Sequence, residues 1–149
     1  MFKVTKEFRF EMAHVLSNYD GPCGNLHGHS YRCLVTFESD QLSLTNQESM
    51  VMDFNEVKQM VSGIIDRMDH AFAYNLYTTD EFEKELAFLC SKYDKKFVVF
   101  NTRTTAEEMS KAIFSEIDRV LYPKYNGAIK CSSVQLYETT TGSATYSEV

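Results

Sequence analysis

The sequence predicts an α+β layer, with helices covering one face of a four-stranded antiparallel sheet. Three observations lead there. β-rich segments stand in pairs at the two ends of the chain, amphipathic helical stretches fill the middle, and no repeat or linker divides them. The 149 residues suit one domain, 1–149. With 44% hydrophobic and 24% charged residues, the composition excludes a disordered or fibrous chain.

The elements follow in order. Lys3 to Phe10 alternates Val4, Phe8 and Phe10 with charged residues, the period of a half-buried strand. Ser17 to Asn25 is rich in Gly, Pro, Asn and Asp and reads as a loop. Ser30 to Glu38 sets Tyr31, Cys33, Val35 and Phe37 against Arg32, Thr36 and Glu38, a second strand. After Asp53 an apolar stripe (Val57, Met60, Val61, Ile64, Ile65, Met68) marks a helix, and Asp53 with Glu56 has capping-box spacing. A second helix runs from about Asp80 to Tyr93, and Phe97 to Phe100 is a short apolar strand. A third helix starts near Thr105, with Met109, Ile113, Ile117 and Leu121 as its stripe. Ile129 to Glu138 and Ser143 to Val149 complete the strands. Such a sheet leaves open edges, which small proteins often cover by self-association.

A net charge of -6 argues against nucleic-acid binding, which needs a basic footprint. No apolar run reaches the ~20 residues of a membrane span. The charged start, Met1 to Glu7, lacks the apolar stretch of a signal peptide. Cys23, Cys33, Cys90 and Cys131 form no C-x-x-C pair. Without an export signal, a reducing cytoplasmic location with free thiols is expected.

Three of the four histidines, His14, His27 and His29, fall close together in the chain. His27 and His29 sit two apart, so on a strand both imidazoles point to the same face. A hairpin would bring His14, at the end of the first strand, alongside them. Three neutral imidazoles with an open fourth position describe a catalytic zinc site, whereas four ligands describe a structural one. With Cys23 as the fourth ligand the site is structural; with Cys23 free in its loop it is catalytic. Both readings stand on the residues alone.

Residues Phe8 to His14, followed by Cys23-Gly24-Asn25-Leu26-His27-Gly28-His29-Ser30-Tyr31, resemble the 6-pyruvoyl-tetrahydropterin synthase family. Met52-Asp53-Phe54, Asp69-His70, Thr105-Ala106-Glu107 and Glu138-Thr139 extend the match in family order. The short Cys-to-His spacing resembles the queuosine-pathway branch, the 6-carboxy-5,6,7,8-tetrahydropterin synthases, more than the pyruvoyl branch.

The resemblance implies the tunnelling fold, in which four-stranded sheets join into a twelve-stranded barrel and two trimers stack as a homohexamer. Site residues could then act across subunits. It implies Zn2+ on His14, His27 and His29, Cys23 as the carbon-proton base, and Asp69 with His70 as a proton relay. It places Glu138 against the flat donor edge of a pterin ring, with Thr105 and Glu107 nearby. Glu107 has a competing role, because Thr104-x-x-Glu107 and Thr105-x-x-Glu108 are overlapping capping boxes. The implied reaction turns 7,8-dihydroneopterin triphosphate into 6-carboxytetrahydropterin, losing triphosphate and acetaldehyde. The alternatives are the pyruvoyl-forming reaction, a zinc-stabilised module that binds pterins or purines without catalysis, and a thiol hydrolase using Cys23 and His70. An anionic substrate needs local cations, and Lys6, Arg9 and Arg32 are candidates. The chain departs from the family in having Thr104 where Pro is common, and in residues 77–101, which read as an insertion.

Overall fold

The computed structural model describes residues 1–43 and 48–148. Strands β1 (Phe2–His14) and β2 (His27–Ser39) form a long antiparallel hairpin in continuous register from Phe2↔Ser39 to His14↔His27. Helix α1 (Phe54–Met68) follows, then β3 (Ala71–Asn75), α2 (Glu81–Lys92), β4 (Phe97–Phe100), α3 (Ala106–Tyr125), β5 (Lys130–Tyr137) and β6 (Ser143–Tyr146). The expected last strand is shorter than predicted, and its residue Val149 lies outside the described residues.

The sheet has six strands in the order β4-β3-β1-β2-β5-β6, which corrects the four-stranded expectation. The predicted antiparallel core is present as β1-β2-β5-β6. Two strands extend it in parallel: β3 beside the end of β1, and β4 beside β3. β3 escapes sequence reading because Ala71-Phe72-Ala73 is buried throughout and shows no alternation. Parallel pairing also requires crossovers, and α2 supplies the one between β3 and β4.

Alternation along the hairpin sends Phe8, Phe10, Met12, Tyr31, Cys33, Val35 and Phe37 into one core. α1 contributes Val57, Val61, Ile64, Ile65 and Met68 to that core, and α3 contributes Met109, Ile113, Ile117 and Leu121. Glu56 ties the two helices through Lys124 and the Tyr125 hydroxyl. Helices on one face hold only for α1 and α3. Phe72 and Phe97 point away from Ala73 and Val98 and form a separate cluster with Val15 and Ala87 of α2. α2 therefore covers the opposite face at the β3–β4 end. Cys33 and Cys131 are buried, Cys90 packs beside Ala87, and all four thiols are free.

Candidate metal centre

The hairpin register builds the histidine cluster. His14 lies directly across from His27, and Met12 across from His29, so His14 and His29 are diagonal neighbours on one face. A Cβ on Gly28 would stand 3.2 Å from the Met12 carbonyl oxygen, so glycine lets the strands close together between the two histidines. The three rings pack with centroids 4.6 to 5.2 Å apart. One nitrogen from each lies within 4.8 Å of the others.

Two backbone carbonyls set the tautomers. His14 Nδ1 donates to the Thr104 carbonyl at 2.8 Å, and His27 Nδ1 donates to the Asn25 carbonyl at 2.7 Å. Their Nε2 atoms then carry lone pairs and face each other at 3.1 Å. Burial pushes the His14 pKa down to about 4, and the neighbouring imidazoles add to the shift. Burial also lowers the His29 pKa, against the pull of the Glu138 carboxylate. His29 Nε2 and the Tyr31 hydroxyl are buried without a hydrogen-bond partner among the described residues.

Facing lone pairs on two imidazoles repel unless a proton or a cation lies between them. Tetrahedral zinc at about 2.0–2.1 Å from each nitrogen would space them about 3.3 Å apart; the His14–His27 pair stands at 3.1 Å, and all three nitrogens lie within 4.8 Å of one another. Carbonyl partners on Nδ1 are the outer-shell arrangement that orients metal-binding imidazoles. The donor set therefore fits a metal ion. Among the described residues the cluster consists of the three histidines, without Cys23.

Glu138 arrives at the same face one residue past β5, in line with buried Val134 and Leu136. Its carboxylate stands 3.4 Å from His29 Nε2 and 4.0 Å from His14 Nε2. Tyr31 lies beneath, edge-on to His14 and His29. Burial, with the Glu138 charge, raises its pKa far above the ordinary phenol range. Tyr31 was not singled out from the sequence, yet its place two residues after His29 puts it on the same face.

Cys23 sits in a short 3-10 turn, Pro22–Gly24, and is partly exposed. Its carbonyl accepts the Leu16 N–H at 2.9 Å and closes the loop. A Cβ at Gly24 would meet the Tyr19 carbonyl oxygen at 2.5 Å, so only glycine fits there. Arg103 braces the loop by donating to the Ser17 carbonyl at 2.7 Å.

Thr105 caps α3 and accepts the Glu108 N–H at 3.4 Å. Of the two overlapping capping boxes, Thr105 makes the cap hydrogen bond of the second, and Glu107 stands exposed in the first turn. The preceding Thr104 carbonyl holds His14, so the start of α3 lies against the cluster.

Asp69 and His70 occupy the irregular junction expected of them. Asp69 is the C-cap of α1, and His70 has φ 60. Asp69 accepts the Glu11 N–H at 2.8 Å and stands 3.0 Å from His70 Nδ1. The Glu11 backbone N–H and the His70 imidazole keep the Asp69 carboxyl below its ordinary pKa. Among the described residues this pair is not part of the imidazole cluster. His70 lines a cavity with Glu11, Ser30 and Lys96, and His29 of the cluster borders the same cavity.

The suggested cations do not gather at the cluster. Arg9 and Arg32 lie on the opposite face and both bind Glu7. Lys6 is on the cluster's face but stacks over Phe54. It stands eight residues from His14 along β1, about 26 Å.

Comparison with known proteins resolves the family. The family model described as 6-pyruvoyl tetrahydropterin synthase matches residues 3–149. The chain belongs to this family. A Haemophilus influenzae protein named 6-carboxy-5,6,7,8-tetrahydropterin synthase is 40% identical, covering 99% of this chain and 100% of its own length. An Aquifex aeolicus protein of the same name is 32% identical, covering 99% and 98%. Among solved structures, the 6-pyruvoyl tetrahydropterin synthase of Plasmodium vivax superposes with a TM-score of 0.74 at 16% identity, covering 97% of this chain and 96% of that one. The Caenorhabditis elegans enzyme gives 0.68 at 23%, covering 99% and 96%. These structures share the fold of this 6-pyruvoyl tetrahydropterin synthase family member. No helix among its described residues is long and apolar enough to cross a membrane.

Proposed function

We propose that the chain is a zinc-dependent 6-carboxy-5,6,7,8-tetrahydropterin synthase of queuosine biosynthesis, acting on 7,8-dihydroneopterin triphosphate. The convergence of three imidazole nitrogens beside the Glu138 carboxylate carries this reading. His14, His27 and His29 hold the metal, and Glu138 accepts the amino and ring N–H donors of the pterin. Thr105 and Glu107, at the start of α3, border the ring.

Zinc bound there supplies a Lewis acid that favours negative charge on side-chain oxygens of the substrate. Cys23, as thiolate, removes the carbon-bound proton. His70 exchanges a proton elsewhere on the substrate, with Asp69 holding its Nδ1–H and balancing its charge. Triphosphate leaves, and water adds to the first side-chain carbon, whose bond to the second carbon breaks, so that the carboxylate stays on the ring and the other two carbons depart as acetaldehyde. Because Asp69 and His70 lie outside the cluster, the reading has them serve a neighbouring subunit in a tunnelling-fold homohexamer. It places the protein in the cytoplasm.

One observation favours this reading over the pyruvoyl-forming rival. The curated relatives carry the carboxy name, whereas the family model carries the pyruvoyl name. Incubating metal-loaded protein with 7,8-dihydroneopterin triphosphate decides the product by mass. Release of triphosphate with a 6-carboxy product supports the reading. A 6-pyruvoyl product moves it to the other branch, and binding without turnover leaves only a pterin-binding module.

A further inference from the structure

Residues 77–101 reach both proposed proton-handling groups. Just ahead of α2, Thr79 Oγ1 accepts the Asn18 side-chain amide at 2.9 Å, and Asp80 Oδ2 accepts the Asn18 backbone N–H at 3.3 Å. Asn18 has φ 54 and belongs to the loop that the Leu16–Cys23 hydrogen bond closes. Val15, where that loop begins, is buried against Ala87 of α2. At the segment's other end, Lys96 Nζ donates to the carbonyls of Asp66 and Asp69 in the last turn of α1. The Lys96 carbonyl in turn accepts the Phe72 N–H at 3.1 Å.

These ties fall where the backbone needs them. Carbonyls at a helix C-terminus lack partners within the helix, and a cation there complements the helix dipole. His70 follows directly in the left-handed region, which disfavours residues with a side chain. Lys96 thus helps to hold the turn that aims the imidazole, together with the His70 N–H donated to the Glu11 carbonyl at 2.6 Å. Apolar packing of Phe97, Val98 and Phe100 already anchors the segment to the sheet. Among the described residues, its outgoing side-chain hydrogen bonds reach Asn75 at its own border, the Cys23 loop and the α1 terminus.

We infer that residues 77–101 form a two-ended positioning element, with Thr79 and Asp80 setting the Cys23 loop and Lys96 setting the Asp69–His70 junction. The inference rests on the roles proposed above for Cys23 and His70. Thr79 and Lys96 are positioning residues, each acting through the group it holds.

The test uses full-length, metal-loaded protein carrying Thr79→Val, Asn18→Gly, Lys96→Met or Lys96→Arg. Asn18→Gly keeps the left-handed backbone accessible, and Thr79→Val removes the same hydrogen bond from its other end. Measured are kcat and KM for 7,8-dihydroneopterin triphosphate, the rate of Cys23 alkylation by iodoacetamide, and the NMR signals of the His70 ring. Thr79→Val and Asn18→Gly should lower kcat about tenfold with KM little changed, since small misplacements of a reacting group act on the chemical step. They should alter Cys23 alkylation and leave the His70 signals in place. Lys96→Met should lower kcat similarly and move the His70 signals without altering alkylation, and Lys96→Arg should restore most of the rate. Wild-type kcat in Thr79→Val, Asn18→Gly and Lys96→Met overturns the inference. So does a loss of kcat that only follows unfolding, with alkylation and His70 signals unmoved. Cys23→Ala and His70→Ala run alongside. If those two keep full activity, the reading of the site itself falls and this inference with it. If they lose activity while the positioning variants do not, the inference alone falls.

Discussion

Acidification should destabilise the metal-free protein through His14. Burial holds its pKa at about 4 in the folded state, against 6.5 for an exposed imidazole. Between those values the unfolded chain binds a proton that the folded chain refuses. The contribution is therefore complete above pH 6.5 and is lost as pH falls toward 4. Each pH unit in that window is worth about 1.4 kcal/mol, so the full loss is about 3 kcal/mol. His14→Asn removes the titration while its amide can still donate to the Thr104 carbonyl. Urea unfolding of both proteins, with chelator and at fixed protein concentration, gives the difference in stability from pH 7.5 to 4.5. Carboxylate titrations common to both proteins cancel. The wild-type advantage should shrink by about 2 kcal/mol on going from pH 6.5 to 4.5. A constant difference would refute the claim that His14 is buried neutral with its Nε2 lone pair available.

Three further outcomes follow from the site. Cys23→Ala should keep full metal content, since the thiol is outside the ligand cluster, while kcat falls by about 10²- to 10⁴-fold; metal analysis with steady-state kinetics checks both. Glu138→Gln should weaken pterin binding by about 1.5–3 kcal/mol, the worth of hydrogen bonds to a charged group, and titration calorimetry with a non-reacting pterin reads it. Gly24→Ala should displace the Cys23 loop, because the new methyl meets backbone at 2.5 Å; activity should drop with metal content intact.

Much of the site was legible because its parts are local. The two-residue spacing of His27 and His29 fixes a shared face once β2 exists, and His14 joins through a hairpin that strand patterning predicts. Glu138 lies in register with them because β5 pairs with β2. What escaped depends on partners distant in sequence. The Thr104 carbonyl that sets the His14 tautomer is contributed by backbone, which no side-chain pattern announces. The parallel additions β3 and β4 lack alternation, so neither their place in the sheet nor the opposite-face position of α2 was visible. Arg9 and Arg32 read as candidate phosphate ligands by proximity in the chain, but alternation turns them to the other face, where Glu7 takes them. Lys96 carried no motif, since its partners are main-chain carbonyls.

The central claim is that the His14, His27 and His29 cluster holds a metal required for tetrahydropterin synthesis. Protein stripped by chelator and then titrated with Zn2+ should regain turnover of 7,8-dihydroneopterin triphosphate in proportion to one bound ion per chain, yielding a 6-carboxytetrahydropterin by mass. His27→Ala should bind no ion at this site and recover no activity. Full turnover by the stripped protein, or by His27→Ala, would contradict the account.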